Sequence, residues 1–130
     1  MLVKDLKLRS PITIKENDSV QNIAKILQKE KIRQVYVIDS KKTPTGVVSI
    51  LDIHSGILIK GKSSKESKAK DIMVSPVVFI SEELDISSAY LKMIEIKAGA
   101  LPVVKDNKLV SVVSLADCLT HLLKEKKNAK

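Results

Sequence analysis

At 130 residues, with 44% hydrophobic and 29% charged residues, the chain has the composition of one compact globular domain, and no apolar run in it is long enough to span a membrane. Aromatic residues make up only 2%, which counts against recognition by stacked aromatic platforms of the kind that single-stranded nucleic-acid binders use. The formal net charge of +8 favours polyanionic partners such as nucleotides, nucleic acid or anionic surfaces, yet much of it sits in Lys60–Lys68 and in the tail Lys124–Lys130, which read equally well as solvated surface.

Val3 to Leu6 reads as a short lead-in turn, and Pro11 opens an extended piece, Ile12-Thr13-Ile14. Asn17, Asp18 and Ser19 supply helix-start chemistry, and a helix is predicted from about Val20 to Lys31 with Val20, Ile23, Ala24 and Leu27 as its buried stripe. Val35 to Ile38 is a β-branched strand, Ser40 to Thr45 a hairpin turn, and Val47 to Ile50 the returning strand. A second helix begins near Ile50 and fades at Gly61, and a polar, serine-rich linker covers residues 61–68. The order then repeats: an extended Val77–Ile80, a helix from Ile86 to Lys97 capped by Asp85 and ended by Gly99, and a strand Leu101–Val104. A turn at Lys105–Lys108, a strand Leu109–Val113 and a last helix from Leu115 to Lys126 complete it, with the lysine-rich end complementing the helix dipole.

The second half restates the first at an offset of about 65 residues. Gly46-Val47-Val48-Ser49-Ile50-Leu51-Asp52 recurs as Ser111-Val112-Val113-Ser114-Leu115-Ala116-Asp117. Lys4-Asp5-Leu6 recurs as Lys70-Asp71-Ile72, and Ser10-Pro11-Ile12 as Ser75-Pro76-Val77. Each half reads strand, helix, strand, strand, helix, and at roughly 60 residues each would be marginal alone. The halves, 1–60 and 69–130, are therefore expected to share a core, two pseudo-symmetric βαββα units packed through their sheets in an α/β (α+β) fold.

Both copies meet a Ser-x-x-Asp step where a strand runs into a helix. Two readings stand. Serine is a favoured N-cap and an acidic residue three positions on resembles a capping box. Alternatively, the serine hydroxyl and the unpaired backbone N–H groups of a helix start suit a phosphate, while the aspartate, accepting from two adjacent hydroxyls, suits a ribose diol. Capping and binding do not exclude each other.

These residues, with Ala98-Gly99-Ala100-Leu101-Pro102-Val103-Val104 and Ser75-Pro76-Val77, make the chain resemble a tandem pair of cystathionine β-synthase (CBS) domains, a Bateman module, over nearly all of residues 3 to 123. The resemblance implies two clefts taking adenosyl ligands: AMP, ADP, ATP or S-adenosylmethionine. It would set Ser49 and Ser114 towards phosphate, Asp52 and Asp117 on ribose, and Ile12-Thr13, Val35-Tyr36, Val77-Val78 and Leu101-Pro102 around the bases. It also implies a regulatory role without catalysis, a homodimer and, with no effector domain within these residues, a separate effector protein. The sequence departs from the repeat where Ser111 replaces Gly46, and where Arg33-Gln34-Val35-Tyr36 stands opposite Gly99-Ala100-Leu101-Pro102.

The remaining constellations point away from catalysis. His54 and His121 with the lone Cys118 make no zinc set, and no metal is expected. Ser, His and Asp nowhere pair as a nucleophile system, and no phosphate-loop or dinucleotide glycine fingerprint occurs. Cys118 lies in an apolar helical pattern and reads as buried and inert; a single cysteine and no visible signal peptide favour a cytoplasmic setting. Nucleic-acid binding through the basic surface, or a protein-interaction scaffold, is the alternative function.

Overall fold

The computed structural model describes the backbone of residues 1–128 and the side chains of residues 1–125, so the lysine-rich end of the last helix and Ala129-Lys130 lie outside the described residues. The fold is mixed α/β with two three-stranded sheets. In the first, β1 (Thr13–Lys15) runs parallel to β2 (Gln34–Ile38), which is antiparallel to β3 (Pro44–Ser49). In the second, β4 (Ile80–Ser81) runs parallel to β5 (Ala100–Lys105), which is antiparallel to β6 (Lys108–Ser114). Helix α1 (Val20–Glu30) connects β1 to β2, and α4 (Ile86–Ile96) connects β4 to β5. Two short helices follow β3: α2 (Ile50–Ile53), prolonged by a π-helical segment His54–Ile59, and α3 (Ala69–Ile72). Helix α5 (Leu115–Asn128) follows β6.

The two long connecting helices form for the same local reasons. Ser19 Oγ accepts a hydrogen bond from Asn22 N at 3.1 Å, and Asp85 accepts one from Ser87 N at 2.9 Å, satisfying donors that a helix start leaves open. Val20, Ile23 and Leu27 in α1 and Ile86, Ala89 and Met93 in α4 are buried at helical spacing. Both helices stop at a lysine in the left-handed region, Lys31 at φ 54° and Lys97 at φ 58°. The stop expected at Gly99 thus falls two residues earlier. Ala98 N–H returns to the Met93 carbonyl at 2.9 Å, which closes the helix end and forces the residue before it into the left-handed conformation.

The hairpins follow from their turns. Asp106 and Asn107 both have positive φ, 52° and 65°, as a two-residue turn matched to strand twist requires. Between β2 and β3, Asp39 Oδ1 accepts from Lys41 N and Thr43 N, at 2.8 and 3.0 Å, and the strand resumes at Pro44, earlier than the expected Val47.

The chain divides into two compact units that cut across the sequence halves: Ile12–Val77, and Met1–Pro11 together with Val78–Lys130. The lead-in of each repeat is built into the sheet of the other. In the first unit Val74 bridges Val47 beside β3, with Val47 N–H on the Val74 carbonyl at 3.1 Å and Val74 N–H on the Val47 carbonyl at 2.9 Å. In the second, Arg9 bridges Val112 beside β6. Each unit has its own apolar core. One gathers Ile14, Ile23, Leu27, Val35, Val37, Val48 and Ala69; the other gathers Val3, Ile86, Met93, Leu101, Val103, Val113 and Cys118.

A left-handed conformation costs a side-chain-bearing residue about 1 kcal/mol, and glycine escapes that cost. Lys31→Gly and Lys97→Gly are each expected to raise unfolding stability by up to about 1 kcal/mol in urea titration, with an unchanged denaturant slope.

Candidate ligand site at the Ser-x-x-Asp steps

Both steps form reciprocal capping boxes at the end of the third strand of their sheet. Asp52 Oδ2 accepts from Ser49 N at 2.8 Å while Ser49 Oγ accepts from Asp52 N at 3.1 Å. Asp117 Oδ2 accepts from Ser114 N at 2.9 Å while Ser114 Oγ accepts from Asp117 N at 3.0 Å. All four residues are half-buried. The box occupies Oδ2 of each aspartate and leaves Oδ1 outside it, so capping and a diol contact are compatible on one carboxylate. One difference separates the copies. Ser49 Oγ also donates to Asp52 Oδ2 at 2.9 Å, a third bond without a counterpart at Ser114 among the described residues.

Strand register sets the neighbours of each step. In the first unit Thr13 lies level with Tyr36, Tyr36 with Val47, and Gln34 with Ser49. Ile50 N–H donates to the Arg33 carbonyl at 3.0 Å, which ties the start of α2 to the chain entering β2; the Arg33 side chain itself is exposed. In the second unit Ala100 lies level with Ser114, Leu101 with Val113 and Pro102 with Val112, and Leu115 N–H donates to the Gly99 carbonyl at 2.9 Å.

The apolar residues read as base-lining divide by burial. Val35 and Leu101 are packed into the cores of their units, so little of their surface is left for a ligand. Tyr36 and Pro102, next in their strands, are buried without belonging to those core clusters, as alternation along a strand sends them to the opposite face. Gln34 Nε2 donates to the Tyr36 hydroxyl at 3.3 Å, and burial holds the phenol above its ordinary pKa. Ile12, Thr13 and Val77 are half-buried, and Val78 is exposed. His54 is exposed. Cys118 is fully buried; desolvation, and secondarily the charge of Asp117, raise its thiol pKa.

A family model described as "CBS domain" matches this chain twice, at residues 3–58 and 69–124. The chain belongs to the CBS domain family. Two solved CBS structures align over nearly its whole length. The CBS domain pair of protein MJ0100, in complex with 5′-methylthioadenosine and S-adenosyl-L-methionine, is 28% identical with a TM-score of 0.75, over 97% of this chain and 98% of that one. CBSX2 in complex with AMP is 25% identical with a TM-score of 0.78, over 96% and 98%. An uncharacterized protein of Methanopyrus kandleri, MK0525, is 29% identical over 118 residues, 90% of this chain. This CBS pair spans 60% of that relative's length.

Beside the first step of the pair lies a feature that the sequence reading missed. A cavity of about 230 Å³ is bordered by Asp52, Ser55 and Gly56 from the helical run, by Lys60 and Lys62 beyond it, and by Asp71 and Ile72 of α3 with Met73 just after it. Gly56 makes the close approach possible, since a Cβ there would stand 2.8 Å from Cγ2 of Ile72. The sequence signal was the glycine at a position where the second repeat carries His121.

Two outcomes test this local chemistry. Ser114→Ala, which empties one box, is expected to cost about 1 kcal/mol of stability in urea titration. Native Cys118 is expected to resist iodoacetamide at pH 7 and react once urea unfolds the chain, because its raised pKa keeps the thiol protonated and burial blocks access.

Proposed function

We propose that this CBS pair is a regulatory module that binds an adenosyl ligand at its Ser-x-x-Asp steps without turning it over. The observation that carries the reading is the duplicated capping box, which fixes Asp52 and Asp117 at equivalent points of two like units while leaving one oxygen of each outside the cap. The AMP complex of CBSX2 and the S-adenosylmethionine complex of the MJ0100 pair support the ligand class. In this reading Asp52 and Asp117 take ribose hydroxyls and Ser49 and Ser114 sit on the phosphate side. Ile12, Thr13, Tyr36, Val77, Val78 and Pro102 border the bases, with Val35 and Leu101 backing them from the cores. Binding favours one arrangement of the module, and differential affinity sets the size of the signal.

The output passes to a second copy of the chain and to a separate effector protein. A homodimer fits the apolar side chains left open on the run after β3, where Leu51, Leu58 and Ile59 are 76, 72 and 70% exposed. A cytoplasmic setting fits Cys118, a buried thiol with no disulfide partner. No helix among the described residues is long and apolar enough to cross a membrane.

A thermal-shift panel with AMP, ADP, ATP, S-adenosylmethionine and short DNA or RNA, at low and moderate salt, tests the ligand class. A bound ligand at 100 times its dissociation constant is expected to add about 2.7 kcal/mol, a rise of several degrees. That rise should disappear in Asp52→Ala or Asp117→Ala while the fold persists. Stabilisation by DNA or RNA alone, fading with salt, would reduce both steps to helix caps and move the function to the basic surface. Sedimentation of the Leu58→Glu variant tests the dimer, which should dissociate to a monomer.

A further inference from the structure

The homodimer proposed above uses a few side chains of the run after β3. A stable interface takes roughly 800 Å² and about 20–30 residues from each partner, so Leu51, Leu58 and Ile59 leave most of it unaccounted for. A second apolar patch lies in the other unit. Leu91 and Ile94 of α4 are 64 and 51% exposed, and Leu119 and Leu123 are exposed on α5, which packs against α4. Spacings of three and four residues set each pair on one face of its helix.

The matching helix of the first unit has no such patch. With α1 and α4 aligned end to end, eleven residues each, the buried positions correspond: Val20 with Ile86, Ile23 with Ala89 and Leu27 with Met93. The outer positions do not. Lys25 stands against Leu91, Gln28 against Ile94 and Lys29 against Glu95, all six exposed. The two helices thus share their core stripe and differ on the face that meets solvent, and apolar side chains grouped on such a face mark a contact surface.

Charge favours a second copy over an unlike partner. Beside its apolar pair α4 carries Lys92 and Glu95, 4.0 Å apart, one charge of each sign. A twofold axis across α4 sets each of them opposite its complement on the other copy. The outer face of α1 carries Lys25 and Lys29, with Glu30 only at its end, so α1 against α1 sets lysine on lysine.

We infer that a second copy of the chain docks on the outer face of α4 and α5, α4 against α4 about a twofold axis, and that the outer face of α1 stays in solvent. The inference rests on the homodimer reading above and names a contact which that reading lacks.

Sedimentation equilibrium and disulfide trapping of the full chain test this. The wild type is expected to be a dimer. Leu91→Glu is expected to weaken association at least about tenfold, and Lys25→Glu to change it less than about twofold. Both positions are exposed, so the circular dichroism spectrum should stay that of the wild type. Ile94→Cys, oxidised with diamide, should give a disulfide-linked dimer on a non-reducing gel, because residues near a twofold axis meet their own copies. Gln28→Cys, at the matching place on α1, should stay unlinked, and native Cys118 is buried and takes no part. A wild type that sediments as a monomer at every concentration sinks the homodimer reading and this docking with it, and leaves the face to an unlike partner. A wild-type dimer that Leu91→Glu leaves intact, or equal linking through Gln28→Cys and Ile94→Cys, overturns the face while the homodimer stands.

Discussion

Backbone pairing beside the third strand of each sheet is the constraint from which the rest follows. Strands β3 and β6 carry β-branched residues and would otherwise be open sheet edges, which readily pair with the wrong chain. Val74 closes one edge at Val47 and Arg9 the other at Val112. In the first unit the closure is tight. A Cβ on Gly46 would lie 2.6 Å from Met73 Sδ, so the incoming segment is admitted by a glycine in β3. That segment also brings α3 against the helical run that follows Asp52, where Gly56 meets Ile72. Edge pairing is one of the ties that place Asp71 and Ile72 near the capped step; Ala69 N–H on the Asp18 carbonyl at 2.8 Å and Lys70 N–H on the Glu16 carbonyl at 3.1 Å are others.

Element order and the long helices were legible in the sequence because local signals agreed there. Ser19 and Asp85 are good caps, the apolar stripes have helical period, and Asp106-Asn107 is a turn pair for a tight hairpin. The helix ends were less legible. Gly99 looked like the natural left-handed residue, but the returning bond from Ala98 to Met93 sets the position, and lysines at 31 and 97 adopt that conformation in both repeats. The exchange of lead-in segments was not legible at all. The likeness of Lys4-Asp5-Leu6 to Lys70-Asp71-Ile72 shows equivalent turns, and Asp5 and Asp71 do accept from Leu2 N and Lys68 N alike. Equivalence cannot say which sheet a segment joins.

The candidate site divides in the same way. Ser49, Asp52, Ser114 and Asp117 were found because spacing alone determines a capping box. Val35 and Leu101 were grouped with their neighbours Tyr36 and Pro102, although strand alternation sends the members of each pair to opposite faces. The lysine-rimmed cavity escaped notice because Lys60 and Lys62 sat in a stretch that reads as solvated linker. Only the packing of α3 against Gly56 turns part of that stretch into one side of a concave surface.

The two capping boxes differ by one hydrogen bond. A serine hydroxyl has one proton to donate. At the first step that proton is directed to Asp52 Oδ2 at 2.9 Å, so a phosphate reaching Ser49 must compete with an ionised carboxylate. Lys60 and Lys62 border the cavity beside this step together with Asp52 and Asp71, so its rim carries both signs of charge. At the second step the Ser114 proton is not spent on Asp117 among the described residues. A hydroxyl donor left open there suits a phosphate or a neutral polar group. Duplication supplied the geometry twice. The copies diverge in sequence at 56/121, Gly against His, and at 60/125, Lys against Glu, while both caps stay intact.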